Sequence, residues 1–142
     1  MSRMALFLAA CVVGGLGLLG PSLAAAQEKP YVVQNGKVDQ HVYNGYRRYG
    51  ESCLRCHGPD GAGSSYAPSL VDSLKSMTEQ QFDEVVVNGK QDVNQASDKV
   101  MPAFGTVQDV VLYLNDIYAY LKARSDGVLG RGRPTRIGDD AQ

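Results

Sequence analysis

The sequence predicts an all-α chain of three to four short helices joined by long loops. Three observations carry this. Apolar residues recur at three- and four-residue steps in separate stretches. Capping residues stand at the heads of those stretches. No two runs of alternating apolar and polar residues make a convincing strand pair. With 142 residues the chain has room for one small domain.

The first helix starts after Asp39, whose side chain can accept from the unpaired N–H groups of the first turn, and runs to about Cys53. Val42, Tyr46 and Tyr49 share one face, and Gly45 on the same side lets another element come close. Gly58-Pro59-Asp60-Gly61-Ala62-Gly63-Ser64-Ser65 is turn chemistry. A short helix is expected from about Ser69 to Ser76. Thr78 followed by Gln81 makes a capping box for a helix with the stripe Phe82, Val85 and Val86, ended by Asn88-Gly89. Lys90 to Phe104 reads as a polar loop that closes in Val100-Met101-Pro102-Ala103-Phe104. Thr106 is the expected cap of the last helix, in which Val107, Val110, Val111, Leu114, Ile117, Tyr118 and Leu121 form the apolar stripe through Arg124, with Gly127 at its end.

The ends read differently. Arg3, an apolar run from Met4 to Gly20, then Pro21, Ser22 and Ala24-Ala25-Ala26 have the order of a secretory signal cleaved after Ala26. Two other readings stay open: a short membrane anchor broken by Gly14, Gly15 and Gly17, and lipoprotein processing at Leu8-Ala9-Ala10-Cys11. Cleavage implies a periplasmic protein with no stable membrane span. Residues 27–38 are a flexible leader, residues 39–127 the folded unit, and residues 128–142, with Arg131, Arg133 and Arg136, a flexible tail. A formal charge of −1 gives no basic field for nucleic acid.

Once residues 1–26 are removed, Cys53 and Cys56 are the only cysteines, so no disulfide framework can be built around them. They stand in Cys53-Leu54-Arg55-Cys56-His57, the pattern by which a c-type haem is attached. Two thiols one turn apart can form thioethers to the two vinyl groups, and the adjacent histidine then falls beneath the iron as an axial ligand. A thioredoxin-like redox pair uses the same two cysteines but belongs to a strand–helix–strand setting that is not seen here. A zinc site needs further ligands, and the mature chain offers only one other histidine, His41.

For the sixth ligand the sequence points to Met101, which precedes a proline at the end of a long loop. Met77 and His41 are the other candidates, and an open position is the remaining one. A thioether raises the iron potential relative to harder ligands, and filling both axial positions leaves no place for a substrate. That favours electron transfer over catalysis. The alternative is a haem-based sensor or small-ligand binder with a labile sixth ligand. Arg47, Arg48, Tyr66 and Tyr113 could pair with a haem propionate or meet a partner, but solvated or packing roles serve equally.

Gly45-x-x-x-Tyr49-x-x-x-Cys53-x-x-Cys56-His57, a late Met-Pro and a final Ala119-Tyr120-Leu121-Lys122 resemble the class I cytochromes c. The resemblance implies haem held between helices, with the first helix crossing the last at Ile117 and Tyr120. Tyr46-Arg47-Arg48-Tyr49, Cys56-His57-Gly58-Pro59-Asp60-Gly61, Tyr66-Ala67-Pro68-Ser69-Leu70, the segment from Val100 to Gly105, Tyr113 to Leu121 and Arg131-Gly132-Arg133-Pro134 resemble the methanol-metabolism-related c-type cytochromes. That likeness implies one covalent haem c and a quinoprotein (methanol or other alcohol) dehydrogenase, of the lanthanide-dependent kind, as electron donor. The acceptor it implies is a downstream cytochrome or terminal oxidase of the respiratory chain.

Overall fold

The computed structural model describes residues 28–94 and 97–139, the side chains of 92–99 excepted. The cleavage point after Ala26 and the box at Cys11 lie outside the described residues. The described chain is mainly helical, and none of its helices is long and apolar enough to cross a membrane.

Helix α1 (Gln40–Ser52) starts where the sequence predicts, with the Asp39 carboxylate accepting from the Val42 N–H at 2.9 Å. It buries Val42, Gly45 and Tyr49. That face lies on the last helix, α6 (Leu114–Ser125), which buries Leu114, Ile117, Tyr118, Ala119, Tyr120, Leu121 and Ala123. The crossing point is Gly45. A Cβ there would run into the Asp116 carbonyl and stand 2.9 Å from the Tyr120 Cβ, so only glycine lets the two backbones approach this closely. Tyr46 and Tyr49 flank the crossing, their ring centroids 5.7 and 5.6 Å from that of Tyr120.

Between the crossing helices lie α2 (Leu54–His57), a 3₁₀ turn (Pro59–Gly61), α3 (Leu70–Ser73) and α4 (Glu79–Asn88). The capping box of α4 forms as expected: Gln81 N–H to the Thr78 hydroxyl at 3.3 Å and Thr78 N–H to the Gln81 side chain at 2.9 Å. Phe82 and Val86 bury its apolar face, and the Phe82 ring packs 5.5 Å from that of Tyr118.

The last helix is not one piece. It begins after Val107, not Thr106, and breaks at Tyr113, which leaves helical geometry (φ −115°, ψ 21°). The first piece, α5 (Gln108–Leu112), buries Val110 but leaves Val107, Val111 and Leu112 exposed. The break changes the phase of the stripe, so the apolar positions of the two pieces no longer point one way. Arg48 lies over the Tyr113 ring at 4.5 Å, on the α1 side of the break.

Strands are present where the sequence suggested none. The stretch read as a polar loop is a hairpin of β3 (Lys90–Asn94) and β4 (Ser97–Met101), in register Lys90↔Met101 through Asn94↔Ser97. The leader and tail, read as flexible, meet each other. Strands β1 (Val33–Gln34) and β2 (Lys37–Val38) turn at Asn35-Gly36, both at positive φ, as two-residue hairpins require. Strand β5 (Thr135–Arg136) adds beside β2 in parallel. Tyr31, Val38, Leu129 and Pro134 are buried. These strands are too short and too polar to show a period-two pattern, which is why local sequence does not reveal them.

Candidate haem-binding site

The cysteines and histidine sit where α1 hands over to α2. Cys53 closes α1, its N–H bonding to the Tyr49 carbonyl at 2.9 Å, and its own carbonyl accepts from Cys56 N at 3.2 Å and His57 N at 3.0 Å. Cys53 and Cys56 are therefore three apart on one helical turn, a spacing that puts side chains on one face with Cβ atoms about 5–6 Å apart. Neither is in a disulfide. Cys56 is exposed, Cys53 half-buried, and burial with the neighbouring Cys56 pushes the Cys53 thiol up to about 11.

Among the described residues, tyrosines aside, His57 is the one polar residue that is buried, at 6% exposure. Its Nδ1 lies 3.0 Å from the Pro68 carbonyl oxygen. A carbonyl can only accept, so Nδ1 carries the proton, and the lone pair of the neutral ring is on Nε2. A neutral imidazole oriented by its other nitrogen is the usual form of a metal-ligating histidine. Gly63 N bonds to the His57 carbonyl at 2.8 Å, and the Ser64 hydroxyl bonds to the Cys56 carbonyl at 2.5 Å. The turn after His57 is held from α1: the Tyr49 hydroxyl donates to the Gly58 carbonyl and accepts from Gly61 N at 3.0 Å. Burial pushes the Tyr49 phenol up to about 12. The donor set fits a covalent haem: paired thiols on one turn and a fixed, buried imidazole one residue on. Among the described residues no three His, Cys, Asp or Glu side chains gather as a metal cluster, so nothing there supplies the extra ligands of a zinc site.

Met101 closes β4, half-buried against the core. Its segment is tied to the end of α4: Phe104 N bonds to the Val86 carbonyl at 2.9 Å and Gly105 N to the Val87 carbonyl at 3.1 Å. A Cβ on Gly89 would stand 2.7 Å from the Met101 carbonyl oxygen and 2.8 Å from Ala103 N, so the Met-Pro segment rests on that glycine. Met77 is also half-buried and lines a cleft of about 560 Å³ with Ser73, Ser76, Gln81, Glu84 and Val85. None of Cys53, Cys56, His57 and Met101 lines that cleft. His41 is exposed, and its Nδ1 is 2.9 Å from an Asp116 carboxylate oxygen, which engages it with α6.

The remaining sequence candidates divide. Arg48 pairs with Glu51 at 2.7 Å and Asp109 at 3.6 Å, and Arg47 pairs with Glu51 at 3.8 Å. Tyr66 is 76% exposed, its N–H bonded to the Ser64 hydroxyl at 2.9 Å. Arg133 donates to the Tyr43 hydroxyl at 2.5 Å, and Arg136 pairs with Asp139 at 2.9 Å. The Pro68 carbonyl and the Tyr49 hydroxyl carry no role in a reading of the residues taken one by one. A main-chain acceptor has no side-chain signature, and a helix-face tyrosine looks like any packing residue.

The cytochrome c oxidase, cbb3-type, subunit III family matches residues 40–121, more than half of the chain. Cytochrome c-553I of Paracoccus denitrificans is 51% identical over 108 residues, covering 76% of this chain and 48% of that protein. The chain thus spans about half the length of that relative. Cytochrome c-555 of Methylococcus capsulatus is 40% identical over 96 residues, 67% of this chain and 72% of that one. Among solved structures, the c-type cytochrome XoxG from Methylobacterium extorquens AM1 superposes with a TM-score of 0.66 at 41% identity, over 81% of this chain and 77% of that one.

Proposed function

The chain belongs to the class I c-type cytochromes and carries one covalent haem c, and on that premise we propose that it is a periplasmic one-electron carrier. Its donor is a quinoprotein alcohol dehydrogenase, with methanol the favoured substrate of that partner, and its acceptor is a downstream cytochrome or terminal oxidase. Cys53 and Cys56 hold the haem through thioethers, and His57 and Met101 are the axial ligands.

One observation carries the reading: buried His57 donates its Nδ1–H to the Pro68 carbonyl at 3.0 Å, which leaves Nε2 as the nitrogen to ligate, one residue after a cysteine pair held in no disulfide. Bound in this way, the haem supplies a ferrous–ferric couple. The chain's own work is to hold that couple. Tyr49 and Gly63 fix the main chain at and just after His57, so the imidazole has little to rearrange when the charge changes. The docked Met-Pro segment presents a neutral thioether that favours the reduced form. The likeness of the last helix and of Arg131-Gly132-Arg133-Pro134 to methanol-metabolism-related cytochromes supports the choice of donor.

The test is a steady-state assay of the holo-protein with purified quinoprotein dehydrogenases. Reduction that depends on alcohol and on the dehydrogenase, with a rate that changes with ionic strength, is the expected result. A holo-protein reduced by dithionite but by no alcohol dehydrogenase sinks the donor assignment. Ready carbon monoxide binding to the ferrous form would favour the sensor reading instead.

A further inference from the structure

The turn that follows His57 is covered by the C-terminal tail, and one carboxylate joins them. Asp60 sits at positive φ (60°) in the 3₁₀ turn, a left-handed conformation uncommon for a residue other than glycine. Its side chain is 10% exposed. One carboxylate oxygen accepts from Gly132 N at 2.9 Å, the other from Arg131 Nε at 3.2 Å. Behind it lies Arg124 of α6, 8% exposed, with its guanidinium 4.0 Å from the Asp60 carboxylate. Arg124 also donates to the Leu129 carbonyl at 2.9 Å and to the Asp60 carbonyl at 3.5 Å. A buried arginine therefore bridges the turn and the tail, and Asp60 is the anion that faces both arginines. The tail continues past this point, with Pro134 buried and Ile137 N bonded to the Val38 carbonyl at 2.8 Å.

Asp60 is three residues from His57, so the two Cα atoms are within about 11 Å of each other. At that range the sheltered charges of Asp60 and Arg124 act on a neighbouring redox centre with less screening than the exposed Arg131. We propose that residues 129–136 form a strap latched by Asp60 onto the histidine-bearing turn, and that the latch charges, Asp60 against Arg124 and Arg131, set the haem reduction potential. Asp60 is thus a positioning residue, and this role rests on the assignment of His57 as the axial ligand. Removing the carboxylate leaves two unbalanced cations beside the turn, which favours the ferrous form. Removing Arg131 leaves the carboxylate less balanced and favours the ferric form. A latch that acted only by holding the fold together would shift both variants the same way.

The test compares the wild-type holo-protein with Asp60→Asn and Arg131→Gln in two measurements. In potentiometric titration, Asp60→Asn is expected to raise the midpoint and Arg131→Gln to lower it. The second shift should be smaller and should fade at high salt, because Arg131 is 73% exposed. In limited trypsin digestion, cleavage after Arg131 is expected to be about tenfold faster in Asp60→Asn, equivalent to ~1.4 kcal/mol lost from the latch. Shifts of the same sign, no shift in either variant, or unchanged cleavage overturns the proposal. If Asp60→Asn does not fold, Arg131→Gln, at an exposed position, decides by the sign of its shift alone. A wild-type protein that fails the pyridine haemochrome assay defeats the haem reading itself, whereas the trypsin result reports on the latch in either case.

Discussion

The Tyr49 hydroxyl donates to the Gly58 carbonyl across the end of α1, so a residue of the helix crossing also shapes the turn that follows His57. The same oxygen accepts from Gly61 N at 3.0 Å. Gly58 and Gly61 are themselves buried, and apart from Tyr49 their two groups share only a long mutual bond of 3.4 Å.

Tyr49→Phe keeps the ring in its place beside Tyr120 and removes only the hydroxyl. It removes one bond from a buried carbonyl and one from a buried N–H, which keep only their long mutual bond at 3.4 Å, and each lost bond contributes roughly 0.5–1.5 kcal/mol. Thermal unfolding of the holo-protein should show a lower midpoint, and amide exchange at Gly61 should speed up by more than the global loss of stability explains. Exchange that tracks global stability alone would show that the hydroxyl does not hold the turn.

At Gly45 the constraint is space. A Cβ there collides with the Asp116 carbonyl and presses on the Tyr120 Cβ, and both belong to the backbone frame of α6. Neither can give way as a flexible side-chain end would. Gly45→Ala should therefore destabilise by at least ~1–3 kcal/mol, the range for overpacking a close-packed core, despite the higher helix propensity of alanine. Gly50→Ala on the same helix, where a Cβ meets nothing within 4 Å, should be neutral or stabilising, and urea unfolding of the pair measures the contrast.

This contrast marks what local sequence can and cannot express. The caps of α1 and α4, the Cys53–His57 segment and the Gly45 face are all legible, because each is a short-range pattern with its own chemistry. The tail is not. Gly130, Gly132 and three arginines look like a solvated end, yet Arg131 and Gly132 are partners of Asp60, more than seventy residues earlier in the chain. The break at Tyr113 was hidden for the opposite reason: apolar residues at helical spacing run through it, so the periodicity stays intact while the backbone does not. The β3–β4 hairpin is mostly polar, with Val93, Val100 and Met101 its apolar residues, and leaves no alternation to read.

Met101 provides the sharpest test of the sixth ligand. Met101→Ala should lower the potential, because the thioether that favours ferrous iron is lost, and should open the ferrous protein to carbon monoxide. Met77→Ala should do neither, since Met77 lines a cleft apart from Cys53, Cys56, His57 and Met101. Optical spectra of both variants, with and without carbon monoxide, separate the assignments. A spectrum unchanged in Met101→Ala and altered in Met77→Ala would exchange the two roles.

The His41–Asp116 pair ties the start of α1 to α6 and should give stability a pH dependence above the acid range. Hydrogen bonding to Asp116, and then the Asp116 charge, raise the His41 pKa above its ordinary value, with Asp39 adding in the same direction. A raised folded-state value means that the folded protein binds the proton more tightly than the unfolded chain. The contribution is therefore fully present below the unfolded value of about 6.5 and is lost as pH rises through the higher folded value. The histidine side chain is 75% exposed, so solvent and salt screen the pair and the effect is small. Urea unfolding of the wild type and of His41→Gln at pH 5 and at pH 9 isolates it. The wild type should exceed the variant at pH 5 and converge with it at pH 9, and added salt should narrow the gap at pH 5. A gap that widened with pH would mean that neutral His41, not its protonated form, stabilises the helix crossing.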